Sequence, residues 1–363
     1  GVKCWGENNE GQLGWKILWV PVDVVGFGGE TPKSWLLMYY LAGDQSGESD
    51  LSENVETYVN ALKTINNPDI HIAIFEDRSN SPANYIGINS EGITTIPRNE
   101  LNTGDPQTLI DFINWARENF PAEKIALTIF DHGNALSGVA LDATPEDQLT
   151  PPDLKQALSS TGKVDVLHMY TCLMANLEAQ FQLRGLTDYY IGSENIGWAG
   201  NFFSQYLNNI TTSTTPEQLS LRIAQSYYLT TNSSSKPKPS NVSVVDMSKI
   251  LNLVAKTSAL ADTIRENWLT TSFFVWSIID SSVLQRFDDS GNFIIDNNDA
   301  LADLDDFAWL LSNEPKFSNA ANEVLTAIDE YVIYNQTWSG VFDVDGNSYS
   351  YYLDDSHGVS IGL

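Results

Sequence analysis

Two residues carry most of the chemistry this sequence can offer, Cys172 and His132, each standing directly after an apolar run. The runs are Val164-Asp-Val-Leu-His-Met-Tyr-Thr-Cys172 and Ile125-Ala-Leu-Thr-Ile-Phe-Asp-His-Gly133. A thiol and an imidazole at one place are the minimum equipment for thiolate catalysis, because the imidazole can take the thiol proton and later give it to the leaving group. Gly133, next to the histidine, lets backbone approach a substrate closely and sets an N–H where an oxyanion would form. The pattern points to a cysteine hydrolase, first of all a peptidase acting on peptide or protein.

Such side chains need elements that deliver them. Short runs rich in Ile, Val and Leu, separated by helix-like sequence, predict central parallel strands buried on both faces. Open α/β sheets present functional groups at the carboxyl ends of those strands. Further strands are expected at residues 36–41, 70–75 and 189–192, with a hairpin around 89–92. Apolar spacing predicts helices after Asp50 or Ser52, after Asp105 and after Thr150. A helix over 173–183 would put Cys172 at a helix N-terminus, where peptide dipoles favour the thiolate. Residues 142–150 are expected to form a mobile polar loop. From about Pro216 the pattern is mostly helical, with 233–240 as a polar, proline-rich loop and 358–363 as a last strand.

Composition narrows the classes. The 363 residues suffice for a sizeable core in one or two domains. No run approaches the roughly eighteen apolar residues of a membrane span, and the N-terminus has no signal-peptide pattern. Membrane insertion is therefore not expected. A net charge of −28 argues against nucleic acid as a partner. It suits basic substrates or simply a well-solvated surface. With Cys4 and Cys172 as the two cysteines, no disulfide framework is expected and the compartment stays open. The four histidines show no ligand-like spacing, which disfavours a metal hydrolase; His71 reads as a satisfied core or surface histidine, and His168, four residues before Cys172, as a strand residue rather than a partner of the thiol.

Residues 1–26 carry Cys4-Trp-Gly, Gly11-Gln-Leu-Gly and Pro21-Val-Asp-Val, and they resemble one repeat of the regulator of chromosome condensation type of β-propeller. One repeat cannot bury its own faces, so residues 1–33 are expected to be a propeller remnant with its linker, cut from a longer polypeptide. Residues 34–363 then form the main domain. An upstream propeller would recognise a partner and deliver it.

That main domain resembles the clostripain family of cysteine peptidases, of the caspase-like clan. The matching pieces are Tyr39-Tyr-Leu-Ala-Gly-Asp44, Asn102-Thr-Gly-Asp-Pro106, Asp131-His-Gly133, Cys172-Leu-Met174 with Glu178, Ser193-Glu194 with Gly197-Trp198, Asp303-Leu-Asp-Asp306 and Gly358-Val-Ser-Ile361. The resemblance implies a caspase-like α/β/α sandwich with a mostly parallel central sheet and a helical C-terminal part. It also implies a His132–Cys172 dyad, with the Gly133 and Cys172 N–H groups as oxyanion hole. Where the family usually has an aspartate that selects Arg or Lys before the scissile bond, this chain has Tyr170. A phenol supplies no charge for a guanidinium or ammonium. Basic preference would then need a carboxylate from Asp142, Asp147 or Glu194, with Trp198 lining the same subsite.

Family members are often activated by their own cut between the histidine and the cysteine, yet residues 143–150 contain no Lys or Arg. The chemistry itself needs no cofactor. Calcium is a further carried-over expectation, with oxygen-rich turns at 288–292, 296–299 and 343–347 as candidate ligands. The alternative function is a pseudoenzyme whose old cleft holds a peptide, as an interaction module beside the propeller.

Overall fold

The structure is a computed structural model that describes residues 3–6, 18–23, 32–45, 47, 50–233 and 236–363. Most of the expected propeller remnant lies outside the described residues. Within it, strands Lys3–Gly6 and Leu18–Asp23 pair antiparallel.

The organising element is a nine-stranded sheet. From one edge to the other it runs Val332–Trp338, Ser240–Asp246, Thr187–Gly192, Val164–Tyr170, Ala122–Phe130, Lys33–Gly43, Ile70–Arg78, Ser81–Asn89 and Gly92–Pro97. The five strands from Thr187–Gly192 to Ile70–Arg78 are parallel. Antiparallel pairs flank them on both sides. Lys33–Gly43 is buried almost along its whole length because both of its faces are covered, as a central parallel strand requires.

Two layers of helices cover the sheet. One apolar cluster joins Tyr40, Leu127 and Leu167 to Phe112, Leu154 and Phe307. The opposite cluster joins Tyr39, Ile74, Ala126 and Val166 to Tyr58, Phe203, Ile223 and Tyr227. This is the expected α/β/α sandwich. Helix starts follow local chemistry. Asp105 caps Pro106–Asn119 by accepting the Gln107 N–H, and Thr150 and Asp153 form a reciprocal capping box at Pro151–Thr161.

The structure corrects three expectations. The helix after strand Val164–Tyr170 is Leu177–Gln182, capped by Asn176, so Cys172 is not at a helix N-terminus. Leu173 adopts a left-handed φ of 64°, which breaks a helix before it can begin. Residues 142–150 are not a structureless loop: strands Val139–Ala143 and Glu146–Leu149 pair there. The C-terminal part is not purely helical, since Ser240–Asp246 and Val332–Trp338 join the main sheet and Gly340–Val344 pairs with Asn347–Tyr351. The last strand, Ser360–Gly362, pairs with Leu301–Asp303 outside that sheet.

Candidate active site

Adjacent parallel strands, Ala122–Phe130 and Val164–Tyr170, bring the dyad candidates to one rim, with Phe130 opposite Tyr170 in register. His132 and Cys172 both line a cleft of about 60 Å³ there, with Leu51, Tyr170, Gly197 and Trp198. Both are partly exposed. Gly133 is needed for this approach: a Cβ there would lie 2.6 Å from the Cys172 carbonyl oxygen and 2.9 Å from Thr171 Cβ.

The thiol is set among amides. The Gly197 N–H donates to Cys172 Sγ at 3.3 Å, and the nearby Gly133 N–H also favours the thiolate. Burial outweighs them and pushes the thiol up to about 11, with the charge of Asp131 acting in the same sense. This runs against the activated thiolate expected from a helix N-terminus. Iodoacetamide alkylation of Cys172 should accordingly be slower than that of free cysteine at pH 7. It should climb with pH through about 11, as followed by intact-mass spectrometry; a plateau reached below pH 8 would contradict the protonated thiol.

Asp131 holds the histidine segment. Its buried carboxylate accepts Gln45 Nε2–H at 2.8 Å and the Leu141 and His132 backbone N–H groups. Burial raises this carboxyl well above its usual range, and the donors pull it back. The sequence alone assigned no role to Gln45 or to the Gly197 N–H, because these roles arise from contacts between distant segments.

Tyr170 lies beneath the cleft, packed on Phe130 and Phe202 at centroid distances of 5.0 and 5.2 Å. Its hydroxyl donates to the Gly200 carbonyl at 2.9 Å and accepts the Gly200 N–H. It thereby ties the 198–200 segment to the nucleophile strand. Burial raises its phenol well above the ordinary range, so it is neutral. Trp198 is in the cleft wall, held edge-on to Phe342 at 5.2 Å. Lys238 Nζ lies 4.2 Å above the Trp198 ring.

The other named carboxylates are elsewhere. Asp142 is buried, accepting the Thr103 and Thr144 N–H groups at 2.7 Å each. Glu194 is fully buried and accepts from Asn241, Ser356 and the Gly358 N–H. Asp147 is exposed and accepts from Asn102. None of these three lines the cleft. His168 is buried, stacked on Tyr170, and lowered to about 3 by burial. His71 is buried and lowered to about 4 by the same cause.

The oxygen-rich turns expected to bind calcium spend their carboxylates internally. Asp288 accepts from Asn292, Phe293 and the Tyr351 hydroxyl, and Asp299 accepts from Ser290 and Asp296. Asp343 accepts from Ser348. Oxygens committed to N–H and O–H donors are poor cation ligands, so these turns do not fit an ion.

Comparison with known proteins bears on the fold and the family. The chain is similar to a secreted C11 cysteine protease from Bacteroides thetaiotaomicron, solved with an irreversible peptide inhibitor, at 19% identity and a TM-score of 0.71. That match covers 91% of this chain and 93% of that one. An inactive zymogen C11 protease from Parabacteroides distasonis is similar at 21% identity and a TM-score of 0.69, covering 92% of each chain. At these identities both speak for the fold. Clostripain from Hathewaya histolytica is 24% identical over 211 residues, a match that spans 46% of this chain and only 40% of that protein's length. No helix among the described residues is long and apolar enough to cross a membrane. The model of the clostripain family matches residues 39–361, and the chain belongs to that family of cysteine peptidases.

Proposed function

We propose that this protein is a cysteine endopeptidase with Cys172 as nucleophile and His132 as general base and acid. The observation that carries this reading is their meeting in one cleft at the carboxyl edge of the parallel sheet. His132 takes the thiol proton as the sulfur attacks the scissile carbonyl carbon. The resulting oxyanion is met by the Gly133 and Cys172 N–H groups, with the Gly197 N–H close to the sulfur. Collapse breaks the C–N bond, and His132 gives its proton to the leaving amine. Water, deprotonated by His132, then hydrolyses the thioester and restores the thiol.

Specificity follows from what the cleft lacks and what its rim carries. Asp131 is the carboxylate among its lining residues, and that group is committed to Gln45, Leu141 and His132. Tyr170 is neutral, and Lys238 sets a positive charge over Trp198. The preferred residue before the cut is therefore uncharged rather than Arg or Lys. A randomised peptide library read by mass spectrometry tests this. Arg and Lys should be disfavoured relative to apolar residues, by about tenfold or more. A dominant basic preference would overturn the specificity, and no cuts lost on replacing Cys172 would overturn the reading itself. Recognition of a protein partner through an upstream propeller is part of the same proposal.

A further inference from the structure

Among the described residues, the Lys238 ammonium has no carboxylate partner, although the chain carries 47 acidic residues against 19 Lys and Arg. The side chain is half-buried, and burial pulls its ammonium below the usual lysine range. A charge held there loses part of its hydration, and an incoming carboxylate makes up for that loss.

The ammonium is held in place beside the reacting groups. Pro237 and Pro239 flank Lys238 and stiffen its backbone, and strand Ser240–Asp246 of the main sheet begins two residues later. Nζ lies 4.2 Å above the Trp198 ring. Trp198 is itself fastened. Its backbone N–H donates to the Tyr227 hydroxyl at 2.9 Å, its indole N–H donates to the Pro239 carbonyl, and Phe342 meets it edge-on. Trp198 also lines the cleft with Cys172 and His132, so the ammonium stands one indole away from the chemistry.

We propose that Lys238 is a specificity-determining residue that pairs with an Asp or Glu side chain of the peptide, one or two residues from the uncharged residue before the cut. The pairing deepens the peptidase reading and rests on it for the position of the cut, though not for the binding itself. An extended peptide advances about 3.3–3.6 Å per residue, so one or two steps cover the width of an indole. A carboxylate there makes a charge-assisted hydrogen bond to Nζ, whereas Lys or Arg meets like charge. The local preference is opposite to the pull of the −28 net charge on basic peptides. Exposed charges are screened over about 8 Å at physiological salt, so the contact at Lys238 decides the last step of docking.

A randomised peptide library tests the assignment in two arms. In the first, peptides retained by immobilised Cys172→Ala protein at physiological salt are sequenced by mass spectrometry. They should carry Asp or Glu, relative to Asn or Gln, about three- to tenfold more often than peptides retained when Lys238→Met is added. Methionine keeps an apolar stem over the indole and removes the charge. Lys238→Arg in the same protein should keep the preference, and Lys238→Glu should turn it towards Lys and Arg. In the second arm the wild type cuts the library, and Asp or Glu should recur at one fixed position beside the cuts. Equal acid content with Lys238 and with Lys238→Met, or no retention at all, would overturn the assignment. Loss of the preference in both the Met and the Arg variants would mark a structural effect and overturn it as well. Cuts with no acidic position beside them would overturn it while leaving the peptidase reading standing. Acid-dependent retention by a protein that cuts nothing would tell against the peptidase reading and leave the Lys238 site in place.

Discussion

Cys172→Ala should lower peptide cleavage by about 10⁴-fold or more, because Cys172 carries the one thiol among the residues lining the cleft. The fold should survive. Cys172 is partly exposed, and its side chain is replaced by one smaller apolar group. The Gly197 N–H loses a sulfur acceptor at 3.3 Å, a weak bond whose removal should cost about 1 kcal/mol or less. Cleavage of a fluorogenic peptide mixture, together with the thermal midpoint, separates the two effects. Activity retained within tenfold would mean that the nucleophile is elsewhere.

Asp131→Asn should reduce kcat/KM by about 100-fold with Cys172 untouched, through misplacement of His132. The carboxylate receives donors on both oxygens, from Gln45 on Oδ1 and from Leu141 on Oδ2. An amide can match one side only, and its NH₂ then faces a donor. The mismatch in a buried site should also cost about 1–3 kcal/mol of stability. A positioning role predicts loss mainly in kcat with KM little changed, whereas a general loss of structure would move both. Steady-state kinetics alongside urea unfolding decides, and activity within twofold of wild type would remove Asp131 from the mechanism.

The legible part of the fold is the part buried on both faces. Ala122–Phe130, Val164–Tyr170 and Lys33–Gly43 show continuous apolar runs because helices cover each side of them. Their ends carry His132 and Cys172, so the proposed dyad can be read as well. Val332–Trp338 cannot, since it follows helix Ser318–Tyr331 directly and is largely half-exposed. It becomes a strand by pairing with Ser240–Asp246, a tertiary override of local preference. The segment after Cys172 has helical apolar spacing, but the chain is diverted where Leu173 and Ala175 donate to the carbonyls of Asn195 and Ser193.

The buried Glu194 has a bearing on the order in which this molecule is made. Its carboxylate grips Ser356 and the Gly358 N–H, while the residues that follow it, 195 and 197, touch the backbone and sulfur of the nucleophile segment. Those partners are separated by more than 160 positions, so the ribosome must have released Gly358 before this wall can close. A chain still under synthesis carries its cysteine and histidine in an unfinished cleft, and cutting power arrives only once the Gly358 segment has emerged.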